Sequence, residues 1–304
     1  MRFTAVTIRA EQFPTSPLAL RTRSPEVQAR IRAFADQQAA AAAASLDVLD
    51  DAFARTGRDR HARAVALGDL HATLTGWRYG LAVRANARNG AGIAFDPERF
   101  RTPMTSRNYD RIGAVGRLRE GAVFNPATGT FVGGHSTEAY EAMATYGALA
   151  ERRFAAEAAR EDELQNWIEL PDRRRLRGNM IVRGGAAAKL ALELRDRIAA
   201  RGADASEVET GGEPMYTVTP TPEDSTEIFN TALNLLAEPG CPPEQFLLAR
   251  YLLFQAPQHK KGSDAVTRTF TVTVGAMLYG AAAPGLHADE DLRAYVLGQR
   301  ACQA

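Results

Sequence analysis

Two adjacent lysines, Lys260 and Lys261, stand immediately before Gly262-Ser263 and an apolar stretch that is long enough for a buried helix. They are conspicuous because only three of the 37 basic residues of the chain are lysines. The N–H groups in the first turn of a helix have no intrahelical acceptor and carry partial positive charge. Two ammonium groups beside such a turn favour a site for a phosphate or diphosphate. The alternative interpretation is a solvated turn in which Ser263 caps the helix.

The turn that carries the lysines is expected to join two helices. A helix is predicted over residues 243–256, because Pro243-Glu244 is typical of a first helical turn and Pro257 follows its end. Residues 263–279 fit two patterns, since threonines alternate as in a strand while an apolar stripe recurs at helical spacing. The length of this stretch favours a helix.

Most of the remaining chain is also predicted to be helical. Ser24-Pro25-Glu26 supplies the N-cap, the proline and the early acid that open a helix. Apolar residues at helical spacing predict helices over residues 25–53, 60–86, 137–163, 186–201 and 222–237. Turn signals between short apolar runs predict two β-hairpins, at residues 122–132 and 166–185. The expected fold class is therefore mainly α with small β-hairpin elements.

The composition is that of an ordinary globular protein, with 45% apolar and 24% charged residues among 304. A net charge of +1 gives no reason to expect nucleic acid or a membrane surface as a partner. We expect a soluble protein, because neither a signal peptide nor a transmembrane segment is apparent. Cys241 and Cys302 are expected to be free thiols. Residues 1–22 are rich in proline, serine, threonine and arginine and are expected to be a flexible segment.

Sequence motifs that would settle an activity are missing. The chain has no P-loop, no H-E-x-x-H zinc motif, no G-x-S-x-G nucleophile motif and no G-x-G-x-x-G dinucleotide motif. The five histidines have no metal-ligand spacing, so no metal site is expected, although a divalent ion at residues 289–291 stays an alternative. Composition and motif rules alone therefore lead only to a soluble helical protein.

A family resemblance goes further. The run 249-ARYLLFQAPQHKKGSDA-265 resembles the corresponding turn of the AvrB family, bilobal helical effectors of plant-pathogenic bacteria that are distantly related in fold to Fic enzymes. Thr102-Pro103, with Tyr109 shortly after, resembles a Thr-Pro and a tyrosine at the pocket of that family. These matches lie in the same order as in the family, and the first 90 residues do not align.

Two further matches lie in the second half of the chain. The run 176-LRGNMI-181 resembles a Leu-His-Gly-Asn-Val-Ile run of the family, with Arg177 in place of the histidine. Asp291 stands about where the family has an essential aspartate. The resemblance implies one bilobal domain over residues 23–304, with a smaller lobe at approximately 166–214 and a nucleotide-binding cleft between the lobes.

The activity implied by the resemblance is glycosyl transfer. A deoxysugar such as rhamnose would move from a nucleotide sugar to a serine or threonine hydroxyl of a target protein. No cofactor would be tightly bound, and a UDP- or dTDP-linked sugar would be the co-substrate. Such a protein acts in the bacterial cytoplasm or is secreted into a host cell as an effector.

The resemblance also assigns roles to individual residues. Asp291 is the predicted catalytic residue, which takes the proton of the acceptor hydroxyl or steadies the cationic sugar. Lys261 takes the place of an arginine of the family and keeps its charge without its bidentate geometry. Arg177 cannot act as a base, because arginine does not lose its proton, but it can hold a second phosphate. The residues predicted to bind the nucleotide are Thr102, Tyr109, Arg177, Lys261, Gly262 and Ser263.

Other functions stay open at this point, because one residue is inserted between Thr102 and Tyr109 and no myristoylation signal is present. One alternative is a Fic-like nucleotidyl or phosphoryl transferase, although His259 lacks the Pro-Phe that follows the Fic histidine. Another is an enzyme that glycosylates a small molecule. The third is a catalytically silent effector or adaptor that binds a partner protein in its cleft.

Overall fold

The computed structural model describes residues 7–85 and 96–303 and confirms a mainly helical fold with small antiparallel β elements. The helices are α1 (Pro25–Arg32), α2 (Phe34–Thr56), α3 (Arg60–Arg84), α4 (Glu138–Glu157), α5 (Gly184–Ala199), α6 (Pro222–Leu236), α7 (Pro243–Gln255), α8 (Ser263–Tyr279), α9 (Glu290–Leu292) and α10 (Gln299–Gln303). The strands are β1 (Tyr109–Ile112), β2 (Val123–Asn125), β3 (Thr130–Val132), β4 (Glu163–Glu169), β5 (Arg175–Val182) and β6 (Met215–Val218). A π-helical turn at Arg293–Leu297 joins α9 to the chain's last helix.

The strands form one sheet of four strands and one hairpin. The sheet has the order β1-β6-β5-β4, and all of its neighbouring strands are antiparallel. Strands β2 and β3 form the separate hairpin. Both hairpins predicted from the sequence are therefore present, whereas β1 and β6 were not predicted. The sheet joins strands from both sides of residues 166–214, and the division of the chain into lobes stays a prediction.

Helix α8 contributes Val266, Phe270 and Val274 to a hydrophobic core that also contains residues of α2, α3, α6 and α7. Two of its threonine hydroxyls bond to backbone oxygens one turn earlier, whereas Thr271 Oγ1 is buried without a hydrogen-bond partner among the residues that the structure describes. Thr269 Oγ1 donates to the carbonyl of Ala265 at 2.8 Å, and Thr273 Oγ1 donates to the carbonyl of Thr269 at 2.8 Å. The alternating threonines therefore belong to a buried helix, as the length of the stretch predicted.

A second core lies between α4 and the sheet. Phe154 of α4, Ile112 of β1 and Ile181 of β5 are fully buried there. Leu292 of α9 and Val296 of the π-helical turn pack into the same cluster. This packing fixes the C-terminal segment against the sheet, and the cleft described below is formed where the two meet.

The N-terminal residues from Ile8 onward lie against the helices. Phe13 is buried in a small cluster with residues of α2 and α8, and the carbonyl of Leu20 accepts a hydrogen bond from the N–H of Ala139. The helix predicted over residues 25–53 is interrupted at Ala33, and α1 carries no buried residue. Within residues 7–85 and 96–303, no helix is both long and apolar enough to cross a bilayer.

Candidate functional site

The turn before α8 is held against the segment that contains Thr102. The N–H of Lys260 donates to the carbonyl of Thr102 at 3.1 Å, and the N–H of Lys261 donates to the carbonyl of Arg99 at 3.1 Å. A β-bridge between Pro103 and His259 adds to this pairing. The structure therefore brings together two regions, around residues 102 and 261, that the family resemblance assigned to one pocket.

Gly262 and Ser263 shape the turn itself. Gly262 is in the left-handed region with φ of 77°, and a Cβ there would lie 2.5 Å from the ring of Phe100. Ser263 Oγ accepts from the N–H of His259 at 3.2 Å and donates to the carbonyl of His259 at 3.0 Å. The Ser263 hydroxyl thus closes the turn and does not cap the helix, whereas Gly262 occupies the N-cap position.

The turn also carries an accumulation of positive charge. Lys261 is half-buried, and its pKa is lowered, first by burial and then by the neighbouring Arg99 and Arg21. Arg78 acts in the same direction, while Asp96 opposes it. Cations that repel one another are stabilised by a bound anion, and the N–H groups in the first turn of α8, which begins at Ser263, also favour an anion.

A cavity of about 190 Å³ is lined by charged side chains of opposite sign, and none of the turn residues 257–263 is among those that line it. Arg21 lines it and also contributes to the positive field at Lys261. Arg117 lies on one side, and Asp110 and Asp291 lie on the other sides. Arg21 also lowers the pKa of Asp110, so its charge acts both on the lysine turn and on a carboxylate of this charged cleft.

Asp291 has the most unusual ionisation in the cleft. Its pKa is raised to about 7, first by burial and then by the negative charge of Asp264, with Arg268 acting in the opposite direction. Among the residues that the structure describes, Asp291 Oδ1 has no hydrogen-bond donor, and its nearest cation is Arg268 Nη2 at 3.7 Å. A carboxyl group with a pKa near neutrality can give or take a proton under physiological conditions.

Asp110 and Tyr295 complete the cleft and were missed from the sequence. Desolvation within the cavity raises the pKa of Asp110, although the residue as a whole is exposed and Arg117 partly offsets the effect. Burial and three carboxylates, those of Asp110, Asp291 and Asp264, raise the pKa of Tyr295. The Tyr295 hydroxyl therefore keeps its proton and can donate a hydrogen bond to a ligand.

Tyr109 lies on the other face of β1 and does not line the cleft. Its hydroxyl donates to Glu193 Oε1 on α5 at 2.9 Å, and the guanidinium of Arg197 lies over its ring. Successive side chains of a strand point to opposite faces, so Asp110, the next residue, points into the cavity. Tyr109, which was predicted to line the nucleotide pocket, therefore does not line this cleft, and its neighbour Asp110 does.

Arg177 is also separate from the cleft. Its side chain is exposed, and its guanidinium lies 5.9 Å from the ring centre of Trp167, which is itself 41% exposed. The next two residues, Gly178 and Asn179, are buried and face Gln255. Alternation along β5 therefore places Arg177 on the solvent side of the sheet, away from the predicted diphosphate.

No protein-family model and no curated protein matches this chain. The resemblance to the AvrB family therefore stays a prediction. Within the described parts of the chain, no group of three or more histidine, cysteine, aspartate or glutamate side chains is arranged to hold a metal ion.

Three other cavities among the described residues are larger, including one of about 330 Å³ beside Leu170 and Leu235. An apolar groove of about 380 Å³ runs between α2 and α3 and is lined mainly by alanine, valine and leucine. A cavity of about 960 Å³ lies between α4 and the start of α5, and charged side chains of both signs line it, among them Arg119, Glu151, Arg183 and Glu213. Arg111 lines both this cavity and the charged cleft, and it is paired with Glu209 at 3.9 Å. The charged cleft is the stronger candidate, because it has the carboxyl group whose pKa lies near neutrality.

Proposed function

We propose that this protein is an AvrB-like glycosyltransferase, which moves a sugar, such as the deoxysugar rhamnose, from a UDP- or dTDP-linked donor to a serine or threonine hydroxyl of a target protein. The observation that supports this most directly is the position of Arg21. It lines the cavity that contains Asp291, and its charge contributes, after burial and Arg99, to the lowered pKa of Lys261. Glycosyl transfer needs such a pair of regions, one for the leaving diphosphate and one for the acceptor proton.

The cationic turn would hold the diphosphate. Lys261 and the N–H groups of the first turn of α8 stabilise the negative charge that develops as the sugar–phosphate bond breaks. Arg21 and Arg99 add positive charge beside them. These cations lower the pKa of Lys261 in the free protein, and a bound diphosphate reverses that effect because it favours the charged ammonium.

Asp291 would act as the base. As the acceptor oxygen forms its bond to the anomeric carbon, the bond from that carbon to the diphosphate oxygen breaks, and its electron pair leaves with the diphosphate. The acceptor proton passes to Asp291, which is competent when its carboxyl is ionised. Because its pKa is raised to about 7, the rate of transfer is expected to rise with pH through the neutral range.

The cavity is too small for the whole nucleotide sugar. A volume of about 190 Å³ is below the ~300–1,000 Å³ of sites that hold a whole drug-sized ligand. The transferred sugar would occupy the cavity beside Asp291 and Tyr295. The nucleotide would lie outside it, along the turn between Thr102 and Lys261.

A thermal-shift screen against ATP, ADP, UDP, dTDP and their sugar conjugates tests this function. Stabilisation by UDP or dTDP compounds, with a larger shift for a sugar conjugate than for the bare diphosphate, is the expected result. Stabilisation by adenine nucleotides alone would indicate a Fic-like nucleotidyl transferase. No stabilisation by any of them would contradict the proposal and favour a silent binding protein.

A further inference from the structure

Three buried side-chain amides converge on the π-helical turn that follows Asp291. Asn166 on β4 is 3% exposed, and Asn179 on β5 and Gln255 on α7 are 0% exposed. Burial of an amide is unfavourable unless its hydrogen bonds are satisfied. The three amides therefore need hydrogen-bond partners, and they find them in one segment of backbone.

The amides hold consecutive carbonyl groups of the turn. Gln255 Nε2 donates to the carbonyl of Ala294 at 2.7 Å. Asn166 Nδ2 and Asn179 Nδ2 both donate to the carbonyl of Tyr295, at 2.8 and 2.9 Å. A π-helical turn is rare and is found often at functional sites. Here the carbonyls of the turn accept from side chains of four different elements, because Arg153 Nη1 on α4 also donates to the carbonyl of Val296 at 2.7 Å.

The amides also fix one another. Asn166 Nδ2 donates to Asn179 Oδ1 at 2.7 Å, and the backbone N–H of Asn179 donates to Gln255 Oε1 at 2.7 Å. Gly178 leaves room for this contact, because a Cβ there would lie 2.6 Å from Gln255 Oε1. A fully connected buried network specifies one arrangement of its backbone more narrowly than apolar packing does.

We propose that Asn166, Asn179 and Gln255 are positioning residues, which hold the π-helical turn so that Asp291 and Tyr295 face the cleft. Their importance for catalysis rests on the proposed glycosyl transfer, whereas the placement of the two side chains does not. Displacements of about 1 Å in reacting groups can lower rates by about 10²-fold, so a backbone anchor of this kind has catalytic value. None of the three amides is proposed to touch the substrate.

The inference is tested by NMR titration of the Asp291 carboxyl in the wild type, Asn179→Ala and Asn166→Ala. The raised pKa of Asp291 depends on its burial and on its distance from Asp264. If the turn relaxes, the carboxyl becomes hydrated, and its apparent pKa should fall by about one pH unit or more. The charged and titratable groups that share the cavity of Asp291 or interact with it electrostatically are Arg21, Asp110, Arg111, Arg117, Tyr146, Asp264, Arg268 and Tyr295.

Thr273→Val is the matched control, because it removes a buried hydrogen bond of α8 without touching the turn. It should lower stability and leave the pKa of Asp291 unchanged. An unchanged Asp291 pKa in both amide variants, despite a loss of stability, would overturn the inference. No nucleotide enters this experiment, so a shifted Asp291 pKa together with an absence of nucleotide binding would remove only the proposed function.

A measurement on the wild type keeps the inference testable if the variants do not fold. The side-chain amide signals of Asn166 and Asn179 should shift with pH, with the same midpoint as Asp291. Ionisation of Asp291, just before the turn, is expected to alter the carbonyl of Tyr295, which both amides bind. Amide signals that stay constant through the titration of Asp291 would contradict the coupling.

Discussion

The guanidinium of Arg268 lies 3.7 Å from the Asp291 carboxylate and closer to the carboxylate of Asp264. Arg268 Nε donates to both oxygens of Asp264, at 2.9 and 3.1 Å. Asp291 therefore shares a cation that is held more closely by a second carboxylate. This sharing, together with burial, leaves Asp291 with a pKa of about 7.

Asp291→Asn is expected to change the pH dependence of stability. The pKa of Asp291 is raised in the folded protein, so the folded state holds a proton that the unfolded state releases above about pH 4. The wild type therefore loses stability through this group as the pH rises from about 4 to about 7. Over that pH range, the free energy of unfolding of Asp291→Asn should rise, relative to that of the wild type, by on the order of 2 kcal/mol.

Urea denaturation at a series of pH values measures this difference, with Asp51→Asn as the control because Asp51 is an exposed carboxylate on α2. The control should follow the wild type at every pH. A constant difference between Asp291→Asn and the wild type from pH 4 to 8 would show that the Asp291 pKa is not raised.

His71 should limit stability in acid. It is 8% exposed, its ring is stacked on His259, and burial is the main cause that lowers its pKa to about 4. The unfolded state therefore binds a proton below about pH 6.5 that the folded state accepts only near pH 4, and stability falls between these values. His71→Leu should reduce that loss by on the order of 2 kcal/mol.

Thermal unfolding at pH 4.5 and at pH 7.5 tests the His71 prediction. His61→Leu on the exposed start of α3 serves as the control and should leave the acid loss unchanged. Equal acid losses in His71→Leu and the wild type would rule out His71 as the cause.

Gly262→Ala should destabilise the turn that carries Lys261. The substitution combines an unfavourable left-handed φ of 77° with a clash against the ring of Phe100. The expected loss in the free energy of unfolding is about 2–4 kcal/mol. Gly202→Ala measures the effect of the left-handed backbone alone, because Gly202 has φ of 72° and open space around it. This control should lower the free energy of unfolding by about 1 kcal/mol. Similar losses in the two variants would contradict the steric argument.

Arg177→Ala should leave nucleotide binding unchanged, in contrast to the role that the sequence assigned to Arg177. Its guanidinium lies over Trp167 on the exposed face of the sheet. Fluorescence of Trp167 should change only slightly, because Arg175, whose guanidinium lies closer to the indole at 4.8 Å, stays in place. A weakened affinity for UDP or dTDP would show that Arg177 reaches the ligand, against its placement here.

The helices could be predicted from the sequence because their signals are local. Proline and acidic residues at the starts of α6 and α7, and glycine after α5, lie where the structure begins and ends these helices. Strands β1 and β6 escaped prediction because each has only four residues, and the burial of all positions in β6 removes any alternation. Such strands are defined by their neighbours in the sheet.

The site could be predicted only in part. The lysine turn follows from local sequence, whereas its pairing with the region of Thr102 was expected only from the family resemblance. The orientation of a strand residue depends on register, so Tyr109 was chosen where Asp110 faces the cavity. Tyr295 has no recognisable motif, because its position depends on the π-helical turn and the amides that hold it.

The most direct test of the account is calorimetric titration of UDP and dTDP into the wild type, Lys261→Ala and Lys260→Ala. Lys261 is half-buried among other cations, while its neighbour Lys260 is exposed, so the pair separates a specific contact from general charge. We expect the wild type to bind UDP or dTDP, Lys261→Ala to lose roughly 10- to 100-fold in affinity, and Lys260→Ala to keep nearly wild-type affinity. Equal affinity in both variants, or no binding to the wild type, would contradict the assignment of the turn to a diphosphate.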